Sequence, residues 1–300
     1  MPLPRNERSG SICMKLNIFT YLSGYDRAEL YERFAGSLFD TGFSGTLYLF
    51  AHEKDHRCLS LLSQELQDKI YFVTCPEQMD NQQDDLNDDT VEHNEQTIHP
   101  QNFRYLLYLS FLQQNKQKKN EYSFFCDAKD VLFQRNPEEY IIDDDVDMLV
   151  FEEDTLIKDC IWNMSFFNMV KSSIPDGKFD YESKKAICSG TTLVKNSALY
   201  YFIYNFCEYM MQYNLNSKDY MDQGLHNYMV YNNAYGCNIK IVDNKNELVY
   251  TAGHDKDNVK LDNNHQILNA DNKVPHMVHQ YDRLDQSLLD QISSKYEFNV

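Results

Sequence analysis

No stretch of the 300 residues approaches the ~20 consecutive apolar positions that a membrane-spanning helix needs. Met1 to Ile12 is polar and carries prolines, so it lacks the apolar core of a secretion signal. Basic residues are scarce: 28 Lys and Arg stand against 46 Asp and Glu, a net charge of −18. Nucleic acids and anionic membranes are polyanions, and a chain this acidic repels both through its general field. Paired cysteine motifs are missing as well. The eight cysteines (13, 58, 75, 126, 160, 188, 207 and 237) are spread singly, in a chain long enough to fold without covalent staples. Most have apolar neighbours, as Cys126 has in Phe124 and Phe125, and they are expected to be reduced core residues. These absences predict a cytoplasmic protein with no transmembrane segment and no nucleic-acid partner. Peripheral membrane docking through the aromatic stretch from Trp162 to Phe167 is the one route they leave open.

Common phosphate-handling and hydrolytic signatures are absent too. There is no Gly-x-x-x-x-Gly-Lys-Ser/Thr loop, no Gly-x-Gly-x-x-Gly turn and no Gly-x-Ser-x-Gly elbow. The Asp-x-Asp of haloacid dehalogenase-type phosphatases fails at Lys129, which stands where the second Asp belongs.

What is present is a βαβ rhythm. Met14–Leu22 (MKLNIFTYL), Thr46–Ala51 (TLYLFA) and Lys69–Thr74 (KIYFVT) read as buried strands. Between them, Ala28–Asp40 carries Leu30, Phe34 and Leu38 at helical spacing, and Leu59–Leu66 looks helical. That alternation predicts an α/β fold with a mainly parallel sheet flanked by helices. Glu77–Glu95 interrupts it with eight acidic residues and no Lys or Arg, the composition of a solvated, mobile loop. Asn102–Gln113 resumes a helix, followed by strands at Glu121–Cys126 and Val146–Phe151, with Val131–Phe133 continuing the first of them after a break. Glu152–Tyr181 reads as an irregular aromatic wall or lid. Ile187–Val194 is a strand with a small-residue centre, Ser197–Met211 and Tyr220–Tyr231 are helices, and Ile239–Val242, Leu248–Tyr250 and Met277–Val278 are short strands. No internal repeat or Pro- or Ser-rich linker divides the chain, so 14–300 is expected to be one domain behind a flexible lead at 1–13.

Chemistry concentrates at Phe125-Cys126-Asp127-Ala128-Lys129-Asp130-Val131. An apolar strand ends and two carboxylates follow, where ligands of open α/β sheets collect. Such carboxylates offer hard oxygen ligands to Mg2+ or Mn2+. Equally, Asp127 could cap the turn and Asp130 could pair with Lys129 or Arg135. Ser189-Gly190-Thr191 allows close approach to a strand backbone, by a ligand or by a crowded core. Asp222-Gln223 heads a helix, where an acid suits the helix dipole. His276 and His279, three apart on a strand, point to opposite faces, so at most one of them joins a given site.

The order of these pieces resembles that of nucleotide-sugar-dependent glycosyltransferases of the GT-A fold. Phe125–Gln134 is similar to a strand–Asp-x-Lys-Asp-Val-x-Phe-Gln form of their metal motif, followed by Ser189-Gly190-Thr191, Asp222-Gln223 and His279-Gln280-Tyr281-Asp282-Arg283. The likeness spans roughly Met14 to Arg283. It departs from the common Asp-x-Asp at Asp127-x-x-Asp130, and Gln280–Arg283 differs from the glycogenin-type continuation after the late histidine. The resemblance implies Mn2+ or Mg2+ held by Asp127, Asp130 and His279, and a nucleotide-sugar donor, UDP-linked by preference. Thr20, Tyr21, Arg104, Asp127, Lys129, Ser189, Gly190, Thr191 and Gln223 would contact that donor. Asp222 would be the catalytic carboxylate or would position the sugar, and the acceptor would be a hydroxyl of a glycan or another molecule. Inversion and retention stay open. A non-catalytic protein of the same shape and a metal-dependent phosphohydrolase using the same carboxylates are the alternatives.

Overall fold

Alternation along the first strand sets the architecture. In β1 (Leu16–Tyr21), Ile18 and Phe19 point to opposite faces, and both are fully buried. A strand apolar on both faces needs cover on both, and the computed structural model shows it for the described residues, 14–22, 24–25, 27–76, 98, 100–174, 181, 183–215 and 221–295. Ile18 joins Leu47, Leu49 and Phe124 beneath Tyr31, Phe34 and Leu38 of α1 (Ala28–Asp40). Phe19, on the other face, stacks between Tyr48 and Phe125, with ring centroids at 4.7 and 5.0 Å. That layer is closed by Tyr105 and Tyr108 of α4 (Pro100–Gln114) and by Phe202 and Phe206 of α6 (Leu199–Gln212), with Tyr105 and Phe206 stacked at 3.8 Å.

The central sheet takes in β2 (Thr46–His52), β3 (Ile70–Cys75), β4 (Tyr122–Cys126), β6 (Met148–Leu156), β7 (Lys185–Lys195) and β8 (Ile239–Val242), in the order β3-β2-β1-β4-β7-β6-β8. All neighbours are parallel except β7, which runs antiparallel to both β4 and β6. The expected α/β unit, a mostly parallel sheet flanked by helices, is therefore present. α1 ends as sequence predicts, because Gly42 takes a φ of +82°, the left-handed conformation that suits glycine, while its N–H bonds back to Phe39.

Three expectations need correction. Val131–Phe133 forms β5, but it does not continue β4. It pairs antiparallel with β12 (Met277–His279), which lies parallel to β9 (Val249–Thr251) in a separate three-stranded sheet. The helix expected at Leu59–Leu66 is two short ones, α2 (His56–Leu59) and α3 (Gln64–Lys69), because Ser63 starts a new turn by accepting from Leu66 N–H at 3.4 Å. Over 152–174, the expected irregular wall is largely regular: β6 runs on to Leu156, and α5 spans Ile161–Ser173. Its inward stripe is Asn163, Phe167 and Val170, while Ile161 and Trp162 face outward, so apolar residues lie on both sides of the helix. The acidic stretch Glu77–Glu95 and the lead at 1–13 lie outside the described residues.

The remaining elements are α7 (Met221–Tyr231), the hairpin of β10 (Lys260–Leu261) with β11 (Ile267–Leu268), and α8 (Gln286–Lys295). Tyr250, Val278, Tyr281, Leu284 and Ile292 form a satellite core there. Among the described residues no helix is long and apolar enough to cross a membrane. All seven cysteines with described side chains are free thiols, as expected.

Candidate metal centre

β4 and β12 bring the candidate ligands together. β4 ends at Cys126, and the Asp127 N–H bonds to the Gly190 carbonyl at 2.9 Å, tying the turn to β7. The chain then turns into β5, whose Val131 sits opposite His279, so Asp127, Asp130 and His279 meet between the two sheets. One ligand atom from each lies within 4.8 Å of the others. His279 Nε2 is 3.5 Å from Asp127 Oδ2 and 3.5 Å from Asp130 Oδ1. It is buried and has no hydrogen-bond partner. An orphaned buried imidazole nitrogen aimed at two carboxylates fits a divalent cation, whose ~2.1 Å ligand bonds place neighbouring donor atoms ~3 Å apart. One imidazole and two carboxylates form a mixed nitrogen and oxygen donor set that would leave coordination positions free on a divalent cation. His276 stays out, as its position on the opposite strand face requires, and its Nδ1 bonds to the Asn136 carbonyl at 2.7 Å.

Gly190 lets Asp127 and His279 approach the β7 backbone closely. A Cβ there would come within 2.9 Å of Asp127 Cγ and 3.0 Å of His279 Cε1. Behind the centre, Arg104 donates from one nitrogen to Asp127 Oδ1 and from another to Asp222 Oδ2 at 2.6 Å. The two Asp127 oxygens thus divide their work, Oδ1 facing Arg104 and Oδ2 facing His279. Burial would raise the Asp127 pKa, but Arg104 and His279 hold it far below the ordinary carboxylate range. His279 is pushed the other way: burial opposes its charge, while Cys188, Asp130 and Asp127 raise its pKa well above the ordinary value.

Asp222 and Gln223 lock α7 to β7. Asp222 Oδ2 also accepts from Ser189 Oγ at 3.2 Å, and its Oδ1 takes the Gln223 N–H at 2.8 Å. Gln223 Oε1 accepts the Ser189 N–H at 2.7 Å, while Asn227 exchanges two 2.7 Å bonds with the Ile187 backbone. These amides act as a surrogate strand where β6 and β7 slip register near Glu152.

Arg104, Asp127, Asp130, Ser189, Gly190, Asp222, Gln223 and His279 therefore share one site. Thr191 is next to it, opposite Cys126, with its hydroxyl buried and lacking a hydrogen-bond partner. Lys129 and Tyr21 have local partners of their own. Lys129 is exposed, its ammonium 5.7 Å from the Tyr25 ring centroid. Thr20 is fully buried, and the Tyr21 hydroxyl bonds to His52 Nε2 at 3.0 Å. Arg104 departs from its expected role in one respect: it is buried with two carboxylates on it, so it fixes them and does not present a free charge to a diphosphate.

Sequence reasoning missed Glu153, Asn163, Cys188 and His254. Gln223 Nε2 donates to Glu153 Oε1 at 3.3 Å and to Asn163 Oδ1 at 3.4 Å, and Cys188 Sγ lies 3.3 Å from His279 Nδ1. The one available signal was the Glu152-Glu153 pair where the apolar run of β6 ends. No protein-family model matches the chain, and no curated protein matches it.

Proposed function

We propose that the chain is a metal-dependent glycosyltransferase of the GT-A type, moving a sugar from a nucleoside diphosphate donor, UDP-linked, to a hydroxyl of a glycan or other acceptor. The observation that carries this reading is the convergence of Asp127, Asp130 and the unpartnered His279 Nε2 against Gly190, where a side chain would collide with Asp127 and His279. In so acidic a chain, a diphosphate needs a countercharge, and a divalent cation held by those three residues would supply it and act as a Lewis acid toward the departing diphosphate. The protein's own contribution is placement. Arg104 fixes Asp127 and Asp222 in one frame, and Ser189 to Thr191 would line the sugar pocket. Asp222 and Gln223 would face the donor sugar. All the acceptor positions of Asp222 that the structure describes point to Arg104, Ser189 and Gln223, which favours a positioning role. Lys129 would add positive charge at the rim, and Thr20 and Tyr21 mark the β1 end where the base would lie.

Proton NMR of the protein with UDP- and GDP-sugars, with Mn2+ and then with chelator, tests the proposal. Release or transfer of the sugar, abolished by chelator, is the expected result. Phosphate release without sugar release would replace it with a phosphohydrolase. Donor binding without turnover would replace it with a binding protein.

A further inference from the structure

A second pair of polar side chains, Glu153 and His254, is linked to the site and takes no part in the metal triad. Glu153, on β6, is almost wholly buried, its side chain 3% exposed, and its Oε2 is 3.2 Å from His254 Nε2. Its other oxygen accepts from Gln223 Nε2, and Gln223 holds Ser189, next to Gly190. Burial alone would push the Glu153 pKa up, but the hydrogen bond from His254 and the charges of His254, His279 and Arg283 bring it below the ordinary value. Glu153 is therefore a carboxylate, and a buried carboxylate needs this pairing.

His254 reaches Glu153 from the small sheet. Thr251, at the end of β9, sits opposite His279, and the Ala252 N–H bonds to the His279 carbonyl at 2.9 Å. Three residues past β9, His254 leaves the sheet at the same end as His279. Its side chain is 27% exposed, so one edge of the ring faces Glu153 and the ring reaches solvent. A carboxylate that takes the Nε2 proton fixes the tautomer with its lone pair on Nδ1, and it stabilises the imidazolium when that nitrogen accepts a proton. Asp222, already accepting from Arg104, Ser189 and Gln223, is less free to take one.

We propose, resting on the glycosyl-transfer reading, that His254 held by Glu153 is the general base that deprotonates the acceptor hydroxyl. The acceptor oxygen forms its bond to the anomeric carbon as its proton passes to His254 Nδ1. The bond from that carbon to the phosphate oxygen breaks, its electron pair leaves on the diphosphate, and the proton returns to water from the imidazolium. This direct displacement inverts the anomeric configuration. Glu153 is the positioning residue.

The test uses the full chain with Mn2+, a panel of UDP-glucose, UDP-galactose and UDP-N-acetylglucosamine, and water or methyl glycosides as acceptors, followed by proton NMR at early times. The expected result is an inverted product and a loss of about a hundredfold or more in turnover for His254→Asn, with Mn2+ affinity unchanged in a calorimetric titration. His254→Gly, equally slow, regains turnover when imidazole is added. A retained product, undiminished turnover in His254→Asn, or a His254→Gly variant that binds Mn2+ yet ignores imidazole overturns the assignment while leaving glycosyl transfer intact. A wild-type protein that neither hydrolyses nor transfers any donor overturns both.

Discussion

Arg104 and Asp222 meet at 2.6 Å although 118 residues separate them in sequence, and the contact is buried on both sides. It ties α4 to α7 and places a guanidinium behind Asp127. Arg104→Ala leaves Asp127 and Asp222 facing each other without their shared cation. Loss of one partner from a buried pair costs about 3–5 kcal/mol. Urea denaturation should show that loss, and the Arg104→Ala/Asp222→Asn double variant should be more stable than the sum of the single changes. Additive effects would mean that the two side chains do not act as a unit.

Metal binding has a direct thermodynamic readout. Mn2+ at about a hundred times its dissociation constant should stabilise the folded chain by ~2.7 kcal/mol, visible as a raised Tm that EDTA reverses. Asp130→Ala and His279→Ala should each abolish the shift. A Tm that ignores Mn2+ in the wild-type chain would remove the metal centre altogether.

Gly190→Ala inserts one methyl group between Asp127 and His279. Because the Gly190 carbonyl accepts the Asp127 N–H and the neighbouring Ser189 N–H is held by Gln223, the backbone has little room to retreat. We expect a destabilisation of about 1–3 kcal/mol and a fall of about tenfold or more in Mn2+ affinity. Unchanged affinity would show that the cation lies elsewhere.

His226 supplies a pH dependence that does not involve the metal. It is fully buried on α7, its Nδ1 bonded to the Tyr235 hydroxyl at 2.7 Å, and burial together with the Arg104 charge lowers its pKa to about 3. In the unfolded chain the value is ~6.5. The unfolded state therefore binds the proton first, and stability that is complete above pH 6.5 declines as pH falls toward 3, by up to ~1.4 kcal/mol per unit. Urea midpoints at pH 7.5 and 5 should differ in the wild type and differ less in His226→Asn. An identical slope in the variant would assign the acid limb to other groups.

Local pattern was legible where one element carried it. Leu30, Phe34 and Leu38, ended by Gly42, mark the whole of α1, and the apolar run into Asp127 and Asp130 marks a strand end bearing ligands. α5 was not legible, because its inward stripe contains Asn163 while Trp162 faces out. Glu153 and His254 were invisible for a different reason. Each is ordinary in its own segment, and only the slip between β6 and β7 and the pairing of β9 with β12 bring them together. Arg104 stood in the expected place, but its two carboxylate partners come from other elements, so its neutralisation could not be read from its own helix.

The three-stranded sheet draws its strands from 131–133, 249–251 and 277–279. The last of these brings the third ligand, so the binding site is assembled by the latest-synthesised part of the sheet closing onto a turn made long before. A nascent chain that has folded its central sheet but not yet released residue 279 holds only two of the three ligands. Cation uptake by these three residues would therefore require the chain through residue 279, and a cut between β8 and β12 that freed the C-terminal part would remove one candidate ligand while leaving the parallel strands in place.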